Sequence, residues 1–532
     1  MFGVTESDHL LTPHNRHVTY HIDVQPSISD TLYNNNKTMG APHHHGSTSY
    51  TELIGLLKLA LPVTVSYALE IFPLFITTGF IGRLDNTMYM SVNSLSNIVF
   101  SVVCLSVLYG STSALDHYAT IAYGERDYVE LRKWLYTAII CTTLCCSLLA
   151  IPVYFYIYDI LILLGQDVNI VQLTVPYVRI LLISVFPLVV FDSFKRWLQA
   201  QHQLLPILST TIVCNLISIV LNYMLLFTDF WSITGINKHE LVLNGAIAVT
   251  LSNICLCVIL CIITAIMQCR DRSHLHELMI QGRQCSNIDS VVETNHISIM
   301  TYCNNYIQLA IPSIMQSMIE FITFDTLGLF AGILPSPEIN LSAHAILFQT
   351  SVCSLILYYG IATSTTIKVG NAVGEYDDNK ASRLASLGLR LGMCISMICG
   401  TILYCTRNYI GRLYTNNTDV IELVSHTTIC LSFYQLFDCI SNINHGLFRI
   451  TAMQKFSALF TIIGFGCVGV PAAYVSGIHY QYGLYGIWCS VSIGIMLIAF
   501  MSLLVYRHIN WYDVVQQQYE TIDEQNIIQQ SK

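Results

Sequence analysis

Charged side chains are scarce in this chain. Asp, Glu, Lys and Arg make up 11% of its 532 residues, where a soluble domain carries about 25%. So few charges cannot keep the surface of a 59.8 kDa protein dispersed in water, and lipid must cover much of it. The 24 Lys and Arg are outnumbered by 33 Asp and Glu, leaving a net charge of -9. With no basic excess to neutralise phosphates, a nucleic-acid binder is excluded. Motifs are missing too. There is no GxxxxGK[ST] loop to cradle a nucleotide, which excludes ATP-driven pumping by this chain, and no HExxH or GxSxG to suggest a hydrolase. The N-terminal stretch has no apolar core of the kind a secretory signal needs. No CxxC pair has a partner at zinc spacing, so the 19 cysteines read as small buried hydrophobes. Neither enzyme chemistry, nor a metal, nor a cofactor is expected.

What is present is apolar length. Hydrophobic residues make up 53% of the chain and mean hydropathy is +0.55. Stretches long enough to span a bilayer, which needs about 20 residues, fall at roughly 53–80, 88–111, 134–157, 172–195, 204–227, 244–268, 302–332, 341–366, 384–404, 420–445, 456–478 and 483–506. With both termini cytoplasmic, 19 Lys and Arg count to the inner side, among them Lys58, Lys195, Arg196 and Arg390 near the inner ends of spans, four to the outer side, and Arg179 lies within a span, the asymmetry that positive-inside orientation demands. The prediction is an all-α polytopic membrane protein of twelve transmembrane helices, arranged as two pseudo-symmetric six-helix bundles. Residues 1–50 read as a disordered cytoplasmic tail, 51–268 as the first bundle, 269–300 as a cytoplasmic linker, 301–506 as the second bundle and 507–532 as a cytoplasmic tail. His43, His44 and His45 form a run in the N-terminal tail, and Asn340 and Asn416 begin N-x-S/T sequons.

The halves repeat at an offset of 250 residues. Leu59, Ala60, Pro62, Glu70 and Gly82 return as Leu309, Ala310, Pro312, Glu320 and Gly332. Gly110, Ala122, Gly124, Glu125 and Asp127 return as Gly360, Ala372, Gly374, Glu375 and Asp377. Farther on, Phe191-Asp192 answers Phe437-Asp438 at an offset of 246. Six spans per half return the chain to the same side, so the repeats are parallel about an axis along the membrane normal. That symmetry underlies many secondary transporters, whose substrate site lies between the halves.

Within the spans lie Glu70, Asp192, Glu320, Asp325 and Asp438, with Asp116 at an inner helix end. A carboxylate at the bilayer centre costs roughly 2.5–3.5 kcal/mol on insertion scales, so such residues are expected to face a cavity and mark an ion or substrate path. Glu320 and Asp325 share a helix, about 140° apart around it at about 100° per residue. With the cations near the inner span ends counted to the inner side, Arg179 is the single basic residue placed within a span, which leaves most of these acids without a partner. Asp116 is expected to pair with the basic inner loop.

Several segments resemble the multidrug and toxic compound extrusion (MATE) transporters, in particular their eukaryotic branch. They are GSTSALDHYATIAYG at 110–124, LAIPSIMQSMIEFITFD at 309–325, GIATSTTIKVGNAVGE at 360–375 and GLYGIW at 483–488. The resemblance implies a V-shaped pair of bundles that exports small organic cations in exchange for protons or sodium. It makes Glu320 the principal coupling and cation-binding acid, with Asp325 a second acid of the seventh span and Asp438 the acid of the tenth. The sequence departs from the family at four places. Gln349 stands where close animal relatives carry an acid, Phe321 replaces a Trp, LFRITAMQK lacks the usual glycines, and Thr77 occupies the place of a first-span Asp. The reading is a monomeric, proton-coupled antiporter of organic cations in the plasma membrane, with Glu320, Asp325, Asp438, Gln349, Glu70 and Asp192 as substrate or proton sites. A sodium-coupled exporter and an organic-anion exporter remain alternatives. A lipid flippase is disfavoured by the shortage of basic residues in the spans, and a receptor by the number of spans and the repeat.

Overall fold

The computed structural model describes residues 48–84, 86–228, 241–281 and 299–530. The histidine run, most of the N-terminal tail and the 282–298 part of the linker lie outside the described residues. Thirteen helical segments follow in order: α1 (Thr48–Gly82), α2 (Met88–Gly124), α3 (Tyr128–Leu163), α4 (Val168–Ile183 and Val185–Ala200), α5 (Leu205–Phe227), α6 (Leu243–Gln281), α7 (Ile299–Ile333), α8 (Pro337–Gly374), α9 (Asp378–Ile410), α10 (Thr418–Ile450), α11 (Gln454–His479), α12 (Gly483–Arg507) and α13 (Trp511–Gln530). Eleven are long and apolar enough to cross a membrane, and α4, bent by 41° between its two parts, makes the twelfth. Each predicted span falls on its own helix. The helices outrun the apolar windows because polar capped turns extend them; α3, for instance, is capped by Asp127, whose side chain accepts from the Val129 and Glu130 amides.

The bend in α4 has a local cause. Pro187 has no N–H to offer the carbonyl four residues back, that of Ile183, so the helical ladder opens where the two parts meet. At the break the Ser184 amide and hydroxyl both donate to the Leu181 carbonyl, at 2.9 and 2.7 Å.

The 250-residue repeat is visible in the backbone. Helices α2 and α8 end in the same turn: Asp127 N–H reaches the Ala122 carbonyl and Asp377 N–H the Ala372 carbonyl, each at 3.0 Å. The residues before them, Arg126 and Tyr376, take left-handed φ values of 63° and 59°, as the αL cap of a helix requires. Asp127 and Asp377 then cap the following helices. One short motif thus stops one helix and starts the next, which explains why Gly-Glu-x-Asp is repeated.

The two halves, α1–α6 and α7–α12, meet along α1 and α2 against α7 and α8. Gly110 faces the Ile314 backbone, where an added Cβ would lie 2.5 Å from Cα, and Gly360 likewise faces Thr64. Thr64 and Ile314 are themselves 250 apart, so this is one contact made twice. Gly124 and Gly374 face each other, with room for no side chain between them. Hydrogen bonds across the seam cluster toward this glycine end, hereafter the closed end: Tyr118 to the Asn305 carbonyl, Tyr306 to the Ser111 carbonyl, and His117 with the Ile450 carbonyl. Helix α13 also spans the seam, with Trp511 and Val515 buried and Gln518 donating to Glu125 at 3.2 Å.

Candidate functional site

Among the described residues both halves carry buried acids, and the surroundings of these acids differ in charge. In the first half, Asp192, Lys195 and Arg196 project from one face of α4, as i, i+3 and i, i+4 spacing dictates. Lys195 Nζ lies 2.5 Å from Asp192 Oδ1 and 3.1 Å from Glu70 on α1. Arg196 Nε lies 3.0 Å from Asp192 Oδ2, and its Nη1 2.7 Å from Asp116 Oδ2. Thr112 donates to Asp192 at 2.5 Å, and Arg449 reaches Asp116 across the seam at 3.4 Å. Three acids therefore meet three cations.

This corrects two sequence expectations. Glu70 and Asp192 do not lack partners, and Lys195 and Arg196, counted to the inner side, are buried within the helix, 1% and 4% exposed. The sequence-based span ended too early because α4 runs on to Ala200 after its bend. Without these two, the charge asymmetry between the sides becomes 17 to four, which leaves the orientation argument intact. Asp116 is a structural partner as expected, but its cations are borne by helices. The signal that reveals the cluster is Asp-x-x-Lys-Arg, a helical ion-pair spacing inside an apolar run.

In the second half the acids stay uncompensated. Glu320, in the middle of α7, accepts from Gln316 Nε2 at 3.0 Å. The same nitrogen lies 2.6 Å from His445 Nδ1 on α10. Asp438, buried on α10, accepts from the Tyr358 hydroxyl of α8 and from Asn442 Nδ2 at 2.9 Å. Among the described residues no Lys or Arg forms an ion pair with Glu320, Asp325 or Asp438. Glu320 sits six residues beyond Ile314, about 9 Å along the helix from the last glycine contact of the seam, on the side away from the closed end.

The other predicted site residues are not joined to this group. Asp325 keeps Oδ2 buried without a hydrogen bond, beside Phe324, which packs edge-on against Tyr434 and Phe465. Gln349 is half-buried on α8 and makes no hydrogen bond among the described residues. Sequence reasoning missed Gln316, His445 and Tyr358, whose proximity to the acids follows from helix packing alone.

The register of the clusters is also decided by structure. Helix α4 ends with Gln203 N–H on the Leu198 carbonyl and His202 at a φ of 59°; α10 ends with Met453 N–H on the Phe448 carbonyl and Ala452 at 54°. These turns keep the 250 offset. Asp192 is therefore the counterpart of Asn442 and Lys195 that of His445, and the sequence match of Asp192 with Asp438 at 246 is not the spatial one.

Two stretches, 62–224 and 312–475, match the MatE family, and their starts are again 250 residues apart. Multidrug and toxin extrusion protein 1 of Danio rerio is 25% identical over 472 residues, covering 88% of this chain and 74% of that protein. Protein DETOXIFICATION 1 of Arabidopsis thaliana is 26% identical over 474 residues, covering 88% and 92%. The crystal structure of the eukaryotic MATE transporter AtDTX14 superposes with a TM-score of 0.75 at 23% identity, covering 89% of this chain and 99% of that one. Matched over both repeats in sequence and over nearly all of its helices in fold, the chain belongs to the MatE family of multidrug and toxic compound extrusion transporters.

Proposed function

We propose that this protein is an antiporter that exports small organic cations in exchange for protons, with Glu320 and Asp438 as the shared site for cation and proton. The observation that carries the reading is the difference between the two clusters. In the first half Glu70, Asp192 and Asp116 are held by Lys195, Arg196 and Arg449, which suits a fixed structural role. In the second half Glu320 and Asp438 face no paired cation, so a substrate cation or protons must neutralise them. A buried carboxylate without a partner favours its protonated form, and a cation entering the site favours the ionised one. Cation and proton therefore compete for the same oxygens. Protons arriving from the open side release the cation, and rocking of the halves about the glycine seam returns the site to the other side. The basic loops favour a cytoplasmic closed end with both termini cytoplasmic, and the plasma membrane is the membrane that suits an exporter.

The buried Lys195 and Arg196 supply basic groups that a flippase or an anion exporter would use. Both are already engaged by acids of their own half, which leaves no free positive charge for a phosphate or carboxylate. The relative named a multidrug and toxin extrusion protein fits export of foreign compounds. The test is uptake of a fluorescent organic cation into proteoliposomes under an imposed pH gradient, with and without sodium. A pH gradient alone should drive uptake, and Glu320→Gln should reduce it to background while the protein still inserts. Uptake that requires sodium, or that survives Glu320→Gln, overturns the proposal.

A further inference from the structure

The 250-residue register sets Lys195 and His445 at equivalent places, each beside the equivalent acid, Glu70 or Glu320. In the first half the pairing is direct and permanent, Lys195 Nζ to Glu70 at 3.1 Å. In the second half no hydrogen bond joins the imidazole to the carboxylate directly. Gln316, which takes the place of Ser66, fills the gap, its Nε2 lying 3.0 Å from Glu320 Oε1 and 2.6 Å from His445 Nδ1. His445 is buried, and its Nε2 has no hydrogen-bond partner among the described residues. Replacing a fixed cation by a titratable ring, and a hydroxyl by an amide that touches both groups, changes what the site can do.

We propose that His445 is a second proton carrier of the transport cycle, coupled to Glu320 through Gln316, whose amide turns over as both groups gain or lose their protons. The inference rests on the proton-coupled reading above. In the observed arrangement one amide NH2 lies against both neighbours, which suits a Glu320 with no proton on Oε1 and a neutral His445 with its proton on Nε2. An amide NH2 has two hydrogens and an amide oxygen has two lone pairs. When a proton binds Glu320 at Oε1, the oxygen that faces Gln316, that oxygen becomes a donor, and when a proton binds Nδ1 of His445 that nitrogen also becomes a donor. Both then require the Gln316 oxygen, which a half-turn of the amide supplies. If only one of the two is protonated, one neighbour faces the wrong atom. The two protons therefore bind together, and both leave to water when a substrate cation occupies the site.

Other charges around the ring permit this. Arg449, one turn farther along α10, bears on both His445 and Glu320, but Asp116 of α2 holds it at 3.4 Å. Asp438, two turns back on α10, is occupied by Tyr358 of α8 and by Asn442. His445 thus gains its proton beside acids that a single, already paired guanidinium offsets.

The experiment uses the full-length purified protein and a permanently charged quaternary ammonium dye, which brings no proton of its own. Protons released per dye bound are counted by calorimetry in buffers of different ionisation enthalpy, and dye affinity is followed against pH. In wild type, affinity should fall with acidification with a slope of about two protons or more, and in His445→Gln both the slope and the number of protons released should drop by about one, because interacting sites titrate as a pair. Gln316→Leu keeps both titrating groups and removes the bridge, so the single steep step should separate into two shallow ones. Dye binding at high pH reports that each variant is folded. An unchanged proton count and slope in His445→Gln overturns the role of His445, and an unchanged slope in Gln316→Leu overturns the coupling. Absence of any proton release in wild type overturns proton exchange itself, a distinct outcome.

Discussion

Lys195 shows how much a single side chain decides in a low-dielectric interior. It serves two carboxylates at once, Asp192 and Glu70, and its charge lies 5.1 Å from the Tyr67 ring centre. A buried ion pair contributes little net stability against an apolar replacement, but removing one partner leaves a charge with nothing to offset it. Lys195→Met should therefore destabilise the protein by about 3–5 kcal/mol, read as a lower thermal midpoint in detergent. Adding Glu70→Gln should recover part of the loss, since Asp192 keeps Arg196 and Thr112. If Lys195→Met is neutral, the cluster is not the fixed structural element described here. Glu320 is the contrasting case: its neutralisation by Glu320→Gln should spare stability and abolish exchange.

At the scale of elements, the helices are shaped by short polar signals inside long apolar runs. Pro187 bends α4 and so turns Lys195 and Arg196 inward, while Asp127 and Asp377 restart the chain after α2 and α8. The capped start of α10 leaves Asn416 exposed, whereas Asn340 is buried with its amide donating to the Pro335 carbonyl at 2.7 Å. The packing of α2 on α8 depends on two glycines with no space to spare. A Cβ on Gly124 would lie 2.9 Å from the Gly374 Cα, and the opposing atoms are backbone, which cannot swing aside. Gly124→Ala should hold the closed end apart and slow exchange by about tenfold or more, because packed interfaces have discrete arrangements rather than a continuous range. Gly466→Ala is the control, as nothing lies within 4 Å of its added Cβ. The comparison is made by uptake rate on variants of equal yield, and equal rates would remove the glycine seam from the mechanism.

For the whole molecule, opening is a contest between contacts at the closed end and ligands in the acidic site. His202, in the turn between α4 and α5, sits at that end 2.8 Å from Asn371 of α8. With the amide oxygen accepting from His202 Nε2, the Asn371 nitrogen donates back across the seam to the Thr120 carbonyl at 2.8 Å. Burial, reinforced by Lys368 and Lys380 and opposed by Glu375, pushes the His202 imidazole down to about 4. Once the ends part and water reaches the ring, it returns toward about 6.5. Between these values the closed form binds fewer protons than the open one, so acidification favours opening and closure is strongest above about 6.5. Spin labels at Arg126 and Asn379, both exposed, should report a growing separated population as pH falls from 6.5 to 5, and His202→Gln should flatten that response. A response unchanged in His202→Gln assigns the pH dependence elsewhere.

Much of this was legible in one dimension. Apolar run length gives twelve spans because a bilayer sets the length of a helix, and the 250-residue repeat gives two parallel halves because fixed glycines, caps and prolines recur. Glu320 stands out because a carboxylate inside a span is costly wherever it points. What the sequence could not decide is which charges meet. Hydropathy carries no record of the azimuth of a helix or of its distance from helices far away in the chain, and a cation's effect on an acid depends on both. Only the packed structure brings Lys195 to Glu70, neutralising one half, and sets Gln316 between Glu320 and His445 in the other.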